Sequence, residues 1–323
     1  MTGSGLRVAP EVADAIADGR PVVALESTLI SHGLPYPQNL DVARASETAV
    51  RESGAVPATV AIHDGRMLVG LDGDALEALA TAPAGSVLKA ARPSLAVALN
   101  RGGWAATTVS ATMIAAHAAG IRVFATGGIG GVHRGALGGA LGGVAGRLGG
   151  APGARPTLDV SADLEELART PMAVVCAGPK AILDVPATLE YLETHGVPVV
   201  TIGQPELPGF YARTSAIASP QVVADVAAAG RLLATQFALG LGGVLVCVPV
   251  PEADALPADL AEEAIERAIR EADEAGIHGP ATTPWLLARI AAITDGASVR
   301  ANTALIINDA RLAGQLSVSL ALG

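Results

Sequence analysis

Lys180 is well placed for covalent chemistry, because it ends an apolar run that begins at Pro171. A run of this kind predicts a buried strand that delivers its last residue to the edge of a sheet. Asp159 and Asp163 come shortly before this run in the chain. A lysine amine in a partly apolar pocket can attack a carbonyl carbon, and nearby carboxylates can hold a metal ion. The alternative is a surface lysine that merely closes a strand, which this segment leaves open.

Other polar residues also follow apolar runs that predict strands. Glu26 comes directly after residues 21–25, and Thr126 comes directly after residues 122–125. In open α/β sheets, ligands bind in the crevice beyond the carboxyl ends of the strands. The sequence therefore predicts a site at this edge, where Glu26 either acts as a general acid or is held in a salt bridge.

The loop at residues 126–135 is suited to an anion. Its glycines allow backbone N–H groups to converge, and His133 and Arg134 add positive charge. The loop matches neither a Walker motif nor a dinucleotide fingerprint, so a simple turn remains the alternative. Lys89 is a second candidate phosphate partner, with a solvated lysine as its alternative.

Composition narrows the function classes. The 323 residues are 50% hydrophobic but only 2% aromatic, so the core is expected to consist mainly of Ala, Val, Leu and Ile. A net charge of −10 argues against nucleic acid as the main partner. The histidines lack the spacing of a zinc site, whereas a hard cation held by Asp159 and water stays open.

The cysteines and the apolar segments bear on location. Cys176 and Cys247 lie in valine-rich runs and are interpreted as small buried hydrophobic residues without a disulfide. The sequence shows no signal peptide and no apolar stretch long enough to cross a bilayer. We therefore expect a cytoplasmic protein without a membrane partner.

Short β-branched runs alternate with alanine-rich segments, a pattern typical of an α/β fold. The predicted strands are residues 21–25, 59–62, 105–109, 122–125, 173–176, 198–201 and 243–247. The predicted helices include residues 38–53, 110–119, 162–170, 185–194 and 259–275, and a last helix from Asn302 onward. A glycine-rich segment at about residues 136–156 is interpreted as an inserted loop within a single domain that spans residues 1–323.

Taken together, several segments resemble one enzyme family, that of pseudouridine-5′-phosphate glycosidase. The matching segments are residues 22–33, 54–59, 106–113, 124–135, 159–164 and 175–180. The resemblance runs from about Val8 to the C-terminus. It implies a single-domain α/β/α sandwich with a largely parallel central sheet, a divalent metal, typically Mn²⁺, and a homotrimer.

The family resemblance also implies a reaction. The family, classed with the hydro-lyases, reversibly cleaves the C–C glycosidic bond of pseudouridine 5′-phosphate, giving uracil and ribose 5-phosphate. Lys180 matches the lysine that forms an imine with C1 of the ring-opened ribose. Glu26 matches the acid that protonates the ring oxygen, and Asp159 matches the metal-binding aspartate.

Further positions match residues that bind the substrate in the family. These are Lys89, Val109, Ser161, Ala162 and Asp163. By the same resemblance, Thr126 and His133 are expected to face the phosphate and Asn302 the uracil.

The sequence departs from the family pattern at two places. Pro179 stands before the lysine and is expected to bias Gly178 to extended geometry, and the glycine-rich segment is longer than usual. The alternatives are a Schiff-base lyase or aldolase, a C-glycosidase on a related sugar phosphate, and a non-catalytic sugar-phosphate sensor. The sensor would be expected to lack the lysine or the acid, and this chain has both.

Overall fold

The computed structural model describes residues 5–134, 136, 158–277 and 282–322. The strands are β1 (Leu6–Val8), β2 (Val22–Leu25), β3 (Val56–His63), β4 (Arg66–Val69), β5 (Leu88–Ala90), β6 (Trp104–Thr107), β7 (Val123–Ala125), β8 (Ala173–Cys176), β9 (Val199–Ile202), β10 (Gln221–Val223) and β11 (Val244–Cys247). The helices are α1 (Pro10–Ala17), α2 (Thr28–His32), α3 (Gln38–Glu52), α4 (Gly73–Ala80), α5 (Leu95–Asn100), α6 (Val109–Ala118), α7 (Ala162–Arg169), α8 (Val185–Thr194), α9 (Val226–Ala238), α10 (Ala258–Glu274), α11 (Thr282–Ile293) and α12 (Ala297–Ala321).

The strands form one sheet in the order β1-β4-β3-β2-β7-β8-β11-β9-β10, and β6 joins its side by pairing with β3 and β5. From β3 through β2, β7, β8, β11 and β9 to β10, every pair is parallel. The pairs that β3 makes with β4 and β6 are antiparallel. Since the central strands run in one direction, their carboxyl ends meet at a single edge.

Helices cover both faces of this sheet. Along β2, Val22 and Ala24 pack in one core cluster, while Val23 and Leu25 pack in another. The first cluster contains residues of α1, α6, α7 and α8, and the second contains residues of α3, α9 and α12. Strands buried on both faces read as continuous apolar runs, which is why these segments carry no polar alternation.

The structure confirms the predicted fold, an α/β/α arrangement around a largely parallel sheet. Strand β8 and helix α8 have the predicted bounds. Other predicted bounds differ from the structure, most clearly at three places. The strand predicted from residue 59 begins at Val56. Val109 begins helix α6 and does not end a strand, because the strand stops at Thr107. The last helix begins at Ala297, before Asn302.

The hairpin between β3 and β4 was not predicted. Its turn consists of Asp64 and Gly65, both with positive φ, at 45° and 76°. Asp-Gly between two apolar runs is a strong hairpin signal, so the sequence did contain the information. The hairpin adds the antiparallel strand β4 on the side of β3 opposite to β2, the strand that Glu26 follows.

Two further predictions concern the glycine-rich insertion and membrane-spanning segments. Except for Ala136, the predicted glycine-rich insertion lies outside the described residues. Within the described ranges, no helix combines the length and apolarity needed to cross a membrane.

Candidate active site

Glu26 lies at the carboxyl end of β2 and is 8% exposed. Its carboxylate accepts hydrogen bonds from the hydroxyls of Thr28, on α2, and Thr126, which follows β7. Ile306 of α12 closes the same small cavity behind it. The two threonines hold the acid in one orientation at the edge of the sheet, as a proton donor requires.

Backbone hydrogen bonds hold Lys180 against the loop that follows β7. Its N–H donates to the carbonyl of Ile129 at 3.1 Å, and the N–H of Ile129 donates to the carbonyl of Gly178 at 3.2 Å. These bonds extend the β7–β8 ladder beyond the strands. Lys180 is therefore placed on the same edge as Glu26, and it is partly exposed.

Gly178 has φ +93°, a conformation that L side chains rarely adopt. The expected extended geometry before Pro179 was wrong in this respect. The glycine turns the chain sharply between β8 and Lys180, which brings the lysine backbone onto the loop that follows β7.

Lys89, in β5, shares an electrostatic environment with the catalytic candidates. Burial of its amine lowers the pKa of Lys89, the Lys180 ammonium lowers it further, and the carboxylates of Glu26 and Asp163 partly oppose this. Each of these groups is thus close enough to act on one amine. Such a cluster of two cations and two anions is suited to a charged, polyhydroxylated ligand.

Asp163 lies in the first turn of α7 and is 6% exposed. Its carboxylate accepts hydrogen bonds from the N–H of Ser110 at 3.0 Å and the N–H of Gly130 at 2.9 Å. Ser161 caps α7 by accepting the N–H of Asp163 at 3.3 Å. The predicted segment of Ser161, Ala162 and Asp163 therefore joins the start of α6 to the loop that follows β7.

His133 and Asp159, which are distant in the chain, lie side by side. The N–H of His133 donates to the carbonyl of Asp159 at 3.0 Å, and the His133 Nδ1 lies 3.9 Å from the Asp159 Oδ2. The Asp159 side chain is 57% exposed. In the part of the chain that the structure describes, no group of three His, Cys, Asp or Glu residues comes together to bind a metal.

The remaining predicted site residues take different positions. Asn302 precedes Ile306 by one helical turn on α12, so the two share a face. Thr126, expected to face the phosphate, is 3% exposed and donates its hydroxyl to Glu26. Val109 is buried at the start of α6, where only its backbone could reach a ligand. Their contacts with substrate stay predictions.

Two features of the site were missed in the sequence. Lys89 and Lys180 are the only lysines in the chain, whereas arginines supply the other side-chain cations. Residue counting would have shown this. His32, on α2, has its Nδ1 2.7 Å from the Ser31 hydroxyl, and burial followed by the charge of Lys89 lowers the pKa of His32. Its closeness to Lys89 depends on the fold and leaves no sequence signal.

Comparison with known proteins shows the family to which the chain belongs. The family model described as indigoidine synthase A like protein matches residues 11–319. The chain belongs to this family. A relative from Paracoccus denitrificans named pseudouridine-5′-phosphate glycosidase is 51% identical over 98% of this chain and 98% of its own length. A relative of the same name from Caldanaerobacter subterraneus subsp. tengcongensis is also 51% identical, covering 96% of this chain and 95% of its own.

Solved structures of family relatives share the whole fold. A prealnumycin C-glycosynthase in complex with ribulose 5-phosphate matches with a TM-score of 0.86 and 37% identity, covering 99% of this chain and 98% of its own. An indigoidine synthase A-like protein from Thermotoga maritima matches with a TM-score of 0.83 and 30% identity, with the same coverage.

Proposed function

We propose that this protein catalyses the reversible cleavage of pseudouridine 5′-phosphate to uracil and ribose 5-phosphate. The observation that carries the proposal is that the loop after β7 bonds to both candidates at one edge of the sheet: Ile129 pairs with the Lys180 backbone, and Thr126 donates to Glu26. This is the constellation expected from the resemblance to pseudouridine-5′-phosphate glycosidase, the name borne by full-length relatives at about half identity. The chain has both the lysine and the acid, at least one of which a non-catalytic sensor would be expected to lack.

The chemistry explains why a lysine is needed. A C–C bond to uracil has no leaving-group oxygen or nitrogen to protonate, so a pair of carboxylates alone has little to act on. The nitrogen bound to C1 of the opened sugar can donate its lone pair to form an iminium, while the electrons of the C–C bond leave with uracil. Covalent catalysis thereby divides one difficult step into easier ones.

In the proposed sequence, Glu26 donates a proton to the ring oxygen as the C1–O bond breaks and the Lys180 nitrogen bonds to C1. The Lys180 nitrogen then loses a proton and donates its lone pair to C1, which becomes an iminium as the C–C bond breaks. The electrons of that bond go to uracil, which takes a proton at C5. Water hydrolyses the iminium to the aldehyde of ribose 5-phosphate and restores the amine, and the released proton returns to Glu26. One water is consumed in the net reaction.

The donor set around Asp159 fits a hard divalent cation such as Mn²⁺. The carboxylate is exposed, and no further His, Cys or acidic side chain completes a cage with it in the described ranges. Mg²⁺-like cations favour such sites, because they keep several waters and take one or two carboxylates. When bound, the ion would supply positive charge and ordered water beside His133. The remaining steps are carried by Lys180 and Glu26.

The substrate contacts follow from the same resemblance. Lys89, the backbone of Val109, Ser161 and Ala162 would hold the sugar phosphate, whereas the Asp163 carboxylate accepts two backbone N–H groups. His133 would contact the phosphate, and Asn302 would face the uracil. A homotrimer and a cytoplasmic location are part of the proposal. The support for the homotrimer is the family resemblance alone. The support for the location is the two cysteines, both free and buried.

The test is a product assay with purified protein and Mn²⁺. Pseudouridine 5′-phosphate should be converted to equal amounts of uracil and ribose 5-phosphate, and the two products together should regenerate the nucleotide. Pseudouridine without the phosphate should react poorly. Turnover of a different C-linked sugar phosphate, with none of pseudouridine 5′-phosphate, would instead support the alternative C-glycosidase.

A further inference from the structure

Asp163 is engaged with backbone at both of its carboxylate oxygens. One oxygen accepts the N–H of Ser110 at 3.0 Å, and the other accepts the N–H of Gly130 at 2.9 Å. A carboxylate is an acceptor-only group, so it can join two donors that come from different parts of the chain. Here it ties the first turn of α6 to the loop that follows β7.

The Gly130 side of this junction leads directly to the nucleophile. Its neighbour Ile129 exchanges backbone hydrogen bonds with the segment that carries Lys180, accepting from Lys180 at 3.1 Å and donating to Gly178 at 3.2 Å. A shift of Gly130 would therefore be transmitted through one residue to the Lys180 backbone.

The Ser110 side of the junction leads toward the other lysine. The Ser110 hydroxyl accepts the N–H of Arg92 at 3.1 Å, and Arg92 lies shortly after Lys89 in the chain. Lys89 and Lys180 lie on separate segments of the chain. The Asp163 carboxylate accepts hydrogen bonds from Ser110, which contacts the segment after Lys89, and from Gly130, which follows the residue that pairs with Lys180.

The space around Gly130 shows how tightly the junction is packed. A Cβ at this position would lie 2.3 Å from the Ser161 Oγ and 2.9 Å from the Asp163 Oδ2. Real Cβ atoms do not approach neighbours so closely, so any side chain here would push the loop and α7 apart. The arrangement requires both a carboxylate at 163 and no side chain at 130.

We propose that Asp163 is a positioning residue that sets the Lys180 segment against the start of α6. It acts through backbone, and its removal impairs formation of the Lys180 imine more than it impairs sugar-phosphate binding. The inference rests on the proposed function. It differs from a direct substrate contact, which would make binding the first property to fail.

The key variant is Asp163→Asn, which keeps one acceptor but turns an NH₂ group toward a backbone N–H. Small misplacements of reacting groups can reduce rates by about 10²-fold, so we expect a loss of that order in the rate of borohydride-trapped adduct from ribose 5-phosphate. The dissociation constant of ribose 5-phosphate, measured in a Lys180→Ala background, should change by no more than about threefold.

Two further variants make the test specific. Gly130→Ala disturbs the same junction without altering a polar group and should reproduce the slow adduct formation. Asp72→Asn is the matched control, because Asp72 caps α4 through the N–H of Ala75 at 2.8 Å, and asparagine caps equally well. Its adduct rate should equal that of the wild type. Hydrogen exchange in residues 109–113 and 127–131 should rise in both junction variants.

The outcomes separate the possibilities. Wild-type adduct rates in Asp163→Asn and Gly130→Ala would overturn the inference, as would a loss of ribose 5-phosphate binding that matches or exceeds the loss of rate. If one junction variant fails to fold, the other decides by the same measurements. A wild-type enzyme that forms no adduct would contradict the proposed function itself, and the inference with it.

Discussion

Two buried carboxyl groups, one beside helix α12 and one on it, differ in their hydrogen bonding. Glu26, beside Ile306, accepts hydrogen bonds from two threonine hydroxyls. Asp309, on α12 itself, is 0% exposed, and neither of its oxygens has a hydrogen-bond partner among the described residues. Burial raises the pKa of Asp309 well above its ordinary value and the neighbouring Cys176 raises it further, while the backbone N–H of Ala177 partly opposes this.

The comparison distinguishes an acid that is oriented for catalysis from an acid that lowers the stability of the folded protein. Glu26 lies at the edge where the strands end, and the two threonine hydroxyls give its carboxyl group a defined orientation. Asp309 is enclosed between a helix and the sheet, where a carboxylate without partners is strongly disfavoured and the neutral acid is favoured. Replacing each acid by its amide should therefore lower activity in one case and raise stability in the other.

The largest expected effect follows from the removal of Lys180, which lies at the same sheet edge as Glu26. Lys180→Ala should abolish turnover of pseudouridine 5′-phosphate, because it removes the amine that forms the adduct. Steady-state kinetics and thermal unfolding would be measured together, and the melting temperature should stay near that of the wild type. Lys89→Arg is the matched control, since it keeps a cation at the second lysine and should keep measurable activity. Equal inactivation by Lys89→Arg would contradict the assignment of roles.

Removal of the metal should have the next largest effect. Chelation, or Asp159→Ala, should reduce activity by about 10²-fold or more, since a bound cation supplies several kcal/mol of charge stabilisation. Titration of Mn²⁺ by electron paramagnetic resonance should show weaker binding in the variant. Activity should return when Mn²⁺ is added to chelated wild-type protein. Full activity in metal-free protein would rule out this role.

Glu26→Gln tests whether Glu26, the hydrogen-bonded acid of the comparison, donates the proton that opens the ring. The variant keeps the shape of the side chain but removes its acidic proton, so cleavage of the nucleotide should slow by about 10²–10⁴-fold. Ribose 5-phosphate opens without enzymic help, so its adduct with Lys180 should still form. Intact-protein mass spectrometry after reduction compares the two substrates. Adducts that form equally well from both would mean that another residue opens the ring.

Asp309→Asn tests the structural half, with a smaller effect. The folded state keeps a proton that the unfolded state releases above about pH 3.9, so the wild type loses stability as pH rises, by about 1.4 kcal/mol per unit, until the raised folded pKa is reached. The amide has no such dependence. Its stability advantage should therefore be small near pH 4 and grow toward neutral pH.

Denaturant unfolding at several pH values would measure this advantage. Asp225→Asn is a suitable control, because Asp225 is exposed to solvent and caps α9 through the N–H of Ala228 at 2.8 Å. Asparagine caps equally well, so this control should differ little from the wild type at any pH. An Asp309→Asn variant that is less stable at neutral pH would show that the buried carboxyl has a favourable partner.

The sequence predicted the parts of the molecule that depend on local pattern. Strand β8 followed from an apolar run, and the site at the carboxyl ends of the strands followed from the parallel arrangement. Contacts between distant segments left no such pattern. The bonds from Thr28 and Thr126 to Glu26, and the junction at Asp163, depend on how strands far apart in the chain become neighbours.

The motif resemblance assigned roles but not geometry. It marked Asp163 and Thr126 as substrate positions, whereas their polar atoms contact protein groups in the structure. Val109 was placed in a strand because valine favours strands, but Thr108 precedes it in an extended conformation that starts a helix. The unpartnered Asp309 could not be foreseen, since its position on the buried face of α12 is set by tertiary packing.

The central claim is that Lys180 carries the covalent step, and the most direct test is to locate the trapped sugar. The chain has only two lysines, so peptide mapping after borohydride reduction with ribose 5-phosphate distinguishes them without ambiguity. We expect one added sugar phosphate per chain, on Lys180. The lowered pKa of Lys89 makes it the competing nucleophile. A label on Lys89, with Lys180 unmodified, would contradict the account.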